Sequence, residues 1–233
     1  MTPIETVKGS LARTYRLLRP ESILHVDELM KERRTNKELR EQFFYTADGE
    51  VYSLQGQNRT PTLAITRGNS NPLFQDSTIE DYCRQLLENQ NYRPTPDETS
   101  RALHAEDTML VDLTALRLQG NDPIWRYLPI DTQNYKRLNR EEQKLAVRVY
   151  GKDDDFTQTM QMLAGAGITK TQVYVLSPDY VRIHATENSL GRASWLVSFN
   201  YDFSAVGRDV DVHGTLRGVR REDVAQSAGA QES

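Results

Sequence analysis

Apolar and polar residues alternate most strictly in one stretch near the C-terminus, residues 193–204. A period of two residues is typical of a β-strand, because successive side chains point to opposite faces. Shorter alternating stretches between residues 171 and 222 extend the pattern, so the sequence predicts three or four antiparallel strands there. The apolar face, which we expect in a core or a buried interface, consists of Trp195, Val197, Phe199, Tyr201 and Phe203.

The N-terminal region shows helical spacing instead. Between residues 3 and 18, apolar side chains recur every three or four positions, which predicts an amphipathic helix despite Gly9. Pro20 ends that helix, and residues 27–44 predict a second, more polar one. A third helix is predicted up to residue 89. It places Cys83 on an apolar stripe, where a thiol behaves as a small apolar side chain rather than as a nucleophile.

Turn and cap signals divide the chain between these patterns. The sequence Ala-Asp-Gly-Glu at residues 47–50 predicts the turn of a β-hairpin, with a further strand at residues 62–66. Residues 89–96 contain two prolines and two asparagines and predict a linker. Thr95 and Glu98 have the spacing of a capping box around Pro96, which predicts a short helix ending near residue 106.

The second half of the chain mixes both periods. Residues 109–118 alternate and predict a strand, whereas we expect a loop or short helix at residues 124–128. Residues 139–150 fit both periods, and we favour a helical turn that leads into a strand. The acidic residues 153–155 predict the start of a helix over 156–164. Strands at 172–176 and 180–185 follow around a Ser-Pro-Asp turn, so a βαβ crossover followed by a meander is predicted.

These elements predict an α+β fold. The expected antiparallel sheet is a C-terminal meander of about four strands covered by helices, preceded by a helix-rich N-terminal part that contains the β-hairpin. We predict an N-terminal unit over residues 1–90, a C-terminal domain over residues 97–222, and a flexible tail over residues 223–233, where the residues are small and polar.

Composition limits the classes of function. The chain has 233 residues and one cysteine, so a single copy forms no disulfide and no cysteine-based metal site. A reducing, cytoplasmic compartment is the expectation. The N-terminus lacks the pattern of a signal peptide, and eighteen consecutive apolar residues occur nowhere, so the sequence predicts a soluble protein without a membrane association.

Charge leaves a nucleic-acid hypothesis open. The net charge is −4, but residues 1–40 hold nine basic and six acidic residues, so this part carries +3 and the remainder −7. Basic helix faces of this kind bind phosphates in some proteins and are simply solvated in most. The residues that would contact nucleic acid are Arg13, Arg16, Arg33, Arg34, Lys37 and Arg40.

One set of residues suggests metal chemistry. Asp209, Asp211 and His213 alternate with valines and would project from one face of a strand. Carboxylate oxygens and an imidazole nitrogen bind divalent cations, which gives the hypothesis of a metal-dependent hydrolase. A solvated strand face has the same pattern. If the strand of His184 paired with this one, the two histidines would converge, but strand register is not readable from one sequence.

The hypothesis we favour is a non-catalytic structural or assembly subunit that acts through protein–protein contacts or self-association. No serine lies in a Gly-x-Ser-x-Gly turn, and no phosphate-binding glycine loop is present. Strands able to pair, a charged helical arm and long polar loops are typical of proteins that contact partners. We therefore expect no cofactor, and nucleic-acid binding or hydrolysis stay as the alternatives.

Overall fold

The computed structural model describes residues 5–9, 24–35, 44–67, 93–196, 204–207 and 216–220. The five helices of these residues are α1 (Val26–Thr35), α2 (Pro96–His104), α3 (Arg140–Tyr150), α4 (Asp153–Gly165) and α5 (Pro178–His184). Their strands are β1 (Glu5–Gly9), β2 (Phe44–Gln55), β3 (Thr60–Thr66), β4 (Met109–Asp112), β5 (Trp125–Asp131), β6 (Lys170–Leu176), β7 (Leu190–Leu196), β8 (Ser204–Gly207) and β9 (Leu216–Arg220). Predictions for Arg13, Arg16, Lys37, Arg40, Cys83, Asp209, Asp211, His213 and residues 223–233 lie outside the described part of the chain.

The strands form one sheet. Its order is β1-β9-β2-β7-β8-β6-β5, and β3 pairs with both β2 and β4. Neighbours run antiparallel except for β2–β9 and β6–β8, which are parallel. Helices and a largely antiparallel sheet together make an α+β fold, as predicted.

The sheet is covered on both faces near its centre. On one face, α1, α3 and α4 pack against one another and against the strands, and their core includes Leu29, Tyr52 and Leu145. On the other face, Val51 and Ala64 pack against Ala102 of α2. Pairing of β2 with β7 and of β3 with β4 runs across the predicted linker. Strands from both sides of residues 90–97 therefore share one sheet. The division of the chain into two folding units stays a prediction.

The N-terminal part contains a β-hairpin, but the turn predicted at residues 47–50 is wrong. Strand β2 runs without a break through residues 47–50, and its register against β7 shifts between Tyr45 and Gly49. An irregularity of this kind absorbs extra residues inside a strand and does not reverse the chain. The turn lies at residues 56–59 between β2 and β3, where Gly56 and Arg59 have φ of 67° and 49°.

Three helix and strand predictions were wrong for the same reason. Residues 5–9 form a strand paired with β9 rather than part of a helix. Residues 125–131 form strand β5 paired with β6 rather than a loop or a helix. Residues 140–150 are helical throughout, so the predicted βαβ crossover is absent. In each case, contacts with elements distant in sequence outweigh the local pattern.

Local cap signals were more reliable. The capping box of Thr95 and Glu98 is formed and starts α2. A second capping box, Asn139 with Glu142, starts α3. Ser177, predicted as part of a turn before a strand, instead caps α5, because its side chain accepts a hydrogen bond from the amide of Tyr180. Helix α4 and strand β6 are confirmed, whereas β4 ends at Asp112 and a 3₁₀ turn follows.

Side chains and irregular backbone cover two edges of the sheet. At β4, Lys144 donates to the carbonyl oxygen of Leu110 at 3.2 Å, and Glu141 accepts from the amide of Asp112 at 3.0 Å. At β5, Tyr127 exchanges both backbone hydrogen bonds with Gln119. Pro129 faces the same side as Tyr127 and has no N–H to offer another strand. Both edges are therefore poor templates for a further strand.

Candidate functional site

The most charged part of the described interior surrounds Asp48 of β2. Its side chain is 1% exposed. The Oδ1 atom lies 3.4 Å from Nδ1 of His25, 3.4 Å from Nε of Arg67 and 3.8 Å from Nη2 of Arg148. We call these four residues the Asp48 cluster. One buried carboxylate therefore lies among three basic side chains that come from three separate segments.

Asp48 also anchors the start of helix α1. Its Oδ2 accepts a hydrogen bond from the amide of Val26 at 2.6 Å, which satisfies one of the N–H groups that a helix start leaves unpaired. A carboxylate at this end of a helix is also favoured by the helix dipole. Just before α1, the amide of His25 donates to Glu28 at 2.9 Å. These bonds place the His25 imidazole beside Asp48.

The two arginines attach further elements to this carboxylate. Arg67 follows β3 and forms an ion pair with Asp27 of α1. Arg148 lies on α3, and its Nη2 donates to the carbonyl oxygens of Ile65 and Asp107, each at 3.2 Å. The cluster thus connects α1, β2, β3 and α3 through charged groups.

The pKa directions agree with this arrangement. Burial by itself raises the pKa of Asp48, but His25 and the charges of Arg148 and Arg67 outweigh burial and hold that pKa below its ordinary value. Burial lowers the pKa of Arg148, and Asp48 opposes that effect. For Arg67, burial also lowers the pKa, but the carboxylates of Asp27 and Asp48 bring it above the ordinary value. At neutral pH, Asp48 is therefore an anion held by cations.

A second buried polar group lies further along β2. The hydroxyl of Tyr52 donates to Glu50 at 2.6 Å, and Tyr52 accepts from the amide of Leu176 at 3.4 Å. Arg192 lies opposite Glu50 in the β2–β7 pair, and its guanidinium carbon is 5.0 Å from the ring centre of Trp125. Burial, followed by the neighbouring Glu50, raises the pKa of Tyr52, so its hydroxyl stays protonated.

Two members of the predicted basic face are described, and both are used inside the protein. Arg33 is 0% exposed, and burial lowers its pKa to about 9. Arg34 is 11% exposed and lies 2.5 Å from Asp155, so it attaches α1 to α4. Arg34 lowers the pKa of Asp155. Neither arginine presents its charge to solvent in the way that phosphate contacts require.

The other two histidines in the described part of the chain have local roles. His184, predicted on a strand face, lies at the end of α5 with its ring centre 4.1 Å from that of Tyr180. His104 ends α2, and its Nδ1 lies 2.8 Å from the carbonyl oxygen of Ser100. Among the described residues, no group of three or more His, Cys, Asp or Glu side chains is arranged to hold a metal ion. Asp209, Asp211 and His213 lie outside those residues.

Sequence reasoning missed the Asp48 cluster. His25 has no informative neighbours in the sequence, and Asp48 fits the predicted turn. The available signal was an aspartate followed by the alternating residues Glu50 and Tyr52, since charged residues rarely occur inside a strand unless they are paired. A carboxylate beside an imidazole has the composition of an acid–base pair. However, Asp48 is enclosed by three basic side chains and the amide of Val26, and it joins elements of the fold.

Comparisons with known proteins establish the fold and nothing more specific. No family model matches the chain, and no curated protein is significantly similar to it in sequence. The chain is similar to a solved structure whose description reads "Accommodation of massive sequence variation in Nanoarchaeota by the C-type lectin fold". The TM-score is 0.65 at 12% identity, with 94% of this chain and 95% of the other covered. The chain therefore has a C-type lectin-like α+β fold.

Of the helices that the structure describes, none combines the length and the apolar character needed to cross a bilayer.

Proposed function

We propose that this protein is a non-catalytic structural or assembly subunit that acts through protein–protein contacts. The observation that carries the proposal is the enclosure of the Asp48 cluster. Its acid and its two arginines lie in the interior and connect α1, β2, β3 and α3. Charged groups arranged in this way stabilise a rigid framework and leave the surface as the part that meets other molecules.

The structural neighbour supports a framework of this kind. Its description concerns a C-type lectin fold that accommodates massive sequence variation. A fold tolerates surface changes when its interior specifies the structure, because surface substitutions away from caps and buried networks change stability little. We propose that the present chain uses its fold in the same general way, with an interior that specifies the structure and a surface fitted to a partner.

The first test measures the mass of the protein particle in solution. Light scattering over a range of concentrations, combined with cross-linking and recovery of partners from native lysate, should show a self-associated species or a defined complex. A monomer at every concentration, with no partner recovered, contradicts the proposal.

A surface substitution refines the test. Ile183 is 67% exposed, the most exposed large apolar side chain described, and a substitution to glutamate should weaken an association that uses α5. Glu187→Gln, at an exposed position nearby in sequence, is the control and should leave the mass unchanged. An association equal in both variants places the contact away from α5.

The nucleic-acid and hydrolase alternatives remain hypotheses. The first predicts binding that weakens steeply with salt and requires Lys37 and Arg40, since Arg33 is buried and Arg34 is paired with Asp155. The second predicts bound metal and a gain in stability with divalent ions, both lost on substitution of Asp209. A cytoplasmic location, expected from the single cysteine, is likewise a proposal.

A further inference from the structure

A small cleft opens beside strand β5, away from the Asp48 cluster. Its volume is about 260 Å³, and it lies between β5, the turn before α3, and the segment that follows β4. Pockets for drug-sized ligands range from about 300 to 1,000 Å³, so this cleft fits a smaller molecule. The lining residues used below are Arg117, Leu128, Pro129, Asp131, Arg137 and Leu138.

Arg117 is held in a fixed orientation at this cleft. Its Nε and Nη2 donate to the carboxylate of Glu142 at 2.7 and 2.5 Å, and Nη2 also donates to the carbonyl oxygen of Arg137 at 3.0 Å. The Glu142 side chain is 0% exposed and also accepts from the amide of Asn139 at 2.9 Å. The guanidinium is thus ordered on one side, although Arg117 is 66% exposed. Within the described residues, its Nη1 has no acceptor.

The other walls supply an anion and an apolar surface. Asp131 accepts hydrogen bonds from the amides of Gln133 and Asn134 at 2.8 and 3.0 Å and from Asn134 Nδ2 at 2.9 Å, which fixes its carboxylate. Pro129 and Leu138 are the accessible apolar part of the lining, whereas the Leu128 residue is 1% exposed. A fixed carboxylate, a fixed guanidinium and aliphatic contacts therefore line one cleft.

The charges select among ligands. Glu142 balances Arg117, which leaves Arg137 and Asp131 as one further cation and one further anion of the lining. A dianion such as phosphate would meet Asp131 in a cleft with no net charge. A molecule with one carboxylate and one ammonium group matches both signs, because arginine binds carboxylates through planar donor pairs and a carboxylate accepts from an ammonium.

We propose that this cleft binds a small zwitterion of the α-amino-acid class with an aliphatic side chain. The ligand carboxylate lies at Nη1 of Arg117 and at Arg137, the ammonium group lies at Asp131, and the aliphatic side chain lies on Pro129 and Leu138. This proposal adds a small-molecule ligand to the proposed function.

The test is a protein-observed NMR titration of the full chain with L-leucine. Isocaproate, which lacks the ammonium group, isoamylamine, which lacks the carboxylate, and inorganic phosphate are the comparison ligands. We expect L-leucine to bind with a Kd of about 1 mM or tighter, with shifts at residues 117–138, and we expect the other three to bind more weakly. No shifts at about 10 mM L-leucine, or equal binding of phosphate, overturn the proposal.

Two variants assign the roles of the charges. Asp131→Asn should weaken L-leucine about tenfold, which is ~1.4 kcal/mol, and leave isocaproate unchanged. Arg117→Lys keeps the positive charge but removes the planar donors, so it should weaken both ligands. Lys136→Gln is the control on the same turn and should change neither.

The expected pattern separates recognition from folding. Loss of affinity for L-leucine and isocaproate alike in Asp131→Asn, or no loss in either variant, overturns the assignment. If Arg117→Lys unfolds, the Asp131→Asn comparison decides alone. Because the measurement uses free ligand, its failure leaves the mass measurements of the proposed function unaffected, and the converse also holds.

Discussion

Asp48 and Arg148 approach to 3.8 Å inside the protein, although one lies on a strand of the N-terminal part and the other on helix α3. Asp48 accepts a hydrogen bond from the start of helix α1 and lies within 4 Å of three basic groups, so its removal affects several elements at once. We therefore expect the stability of the fold to depend on this carboxylate more than on a surface ion pair such as the one between Asp179 and Arg182.

Asp48→Asn should destabilise the protein by about 3–5 kcal/mol, because removal of one partner leaves buried charges uncompensated. Chemical denaturation followed by circular dichroism measures the loss. Asp179→Asn is the matched control, since its side chain is 80% exposed and pairs only with Arg182, and a change of about 1 kcal/mol or less is expected. Equal effects of the two substitutions would show that the Asp48 cluster is not a major source of stability.

Acid should remove the contribution of Asp48 to the free energy of unfolding. The pKa of Asp48 is below its ordinary value in the folded protein, so the unfolded chain binds more protons in the acid range and the free energy of unfolding rises with pH there. The contribution is complete above about pH 4 and is lost as the pH falls through the folded pKa. Unfolding curves at several pH values should show the difference between wild type and Asp48→Asn shrinking below about pH 4. A difference independent of pH contradicts the proposed charge interaction.

Gly151 joins α3 to α4 in a conformation that other residues avoid. Its φ is 94°, and a Cβ there would lie 2.8 Å from Cβ of Asp155. Gly151→Ala should therefore cost about 1–3 kcal/mol. Gly165→Ala is the control, because Gly165 ends α4 and a Cβ at this position would have no atom within 4 Å, so alanine should be neutral or stabilising by up to about 1 kcal/mol. Thermal unfolding that ranks the variants in the opposite order would contradict this account.

Glu142 caps helix α3 and holds Arg117. Burial raises the pKa of Glu142, but Arg117 and the amide of Asn139 outweigh burial and bring that pKa below its ordinary value. Glu142→Gln presents an amide donor to the donors of Arg117, so we expect a loss of about 1.5–3 kcal/mol. Glu187→Gln, at an exposed position, should change stability by less than about 0.5 kcal/mol. If urea denaturation shows a small effect for both substitutions, the Glu142 cap contributes little to stability.

Local sequence signals predicted the parts of the fold that depend on neighbouring residues. The capping box of Thr95 and Glu98 is an example, since all of its hydrogen bonds lie within one turn. In residues 140–150, Leu145, Val147 and Val149 fit both a strand and a helix, and only the packing of α3 decides between them. Likewise, Ser-Pro-Asp at residues 177–179 fits both a turn and a helix start, and the local sequence does not decide between them.

Local sequence signals could not predict the candidate sites. Asp48 meets His25, Arg67 and Arg148 through folding, and nothing in the spacing of these residues indicates contact. The cleft at Arg117 likewise needs Asp131 and Arg137 to be brought beside Glu142 by the turn before α3. The residues singled out from sequence were those with a visible pattern, such as Arg33 and Arg34, and the fold uses both arginines internally.

The covered edges at β4 and β5 bear on how this protein could change its partners over time. Lys144, Glu141 and Pro129 make backbone pairing with another chain unfavourable at those edges. Contacts there must use side chains, and a side-chain contact is altered by single substitutions, whereas backbone pairing accepts almost any sequence. Recognition at those edges is consequently open to evolutionary revision one residue at a time, without a change in the strand order beneath it.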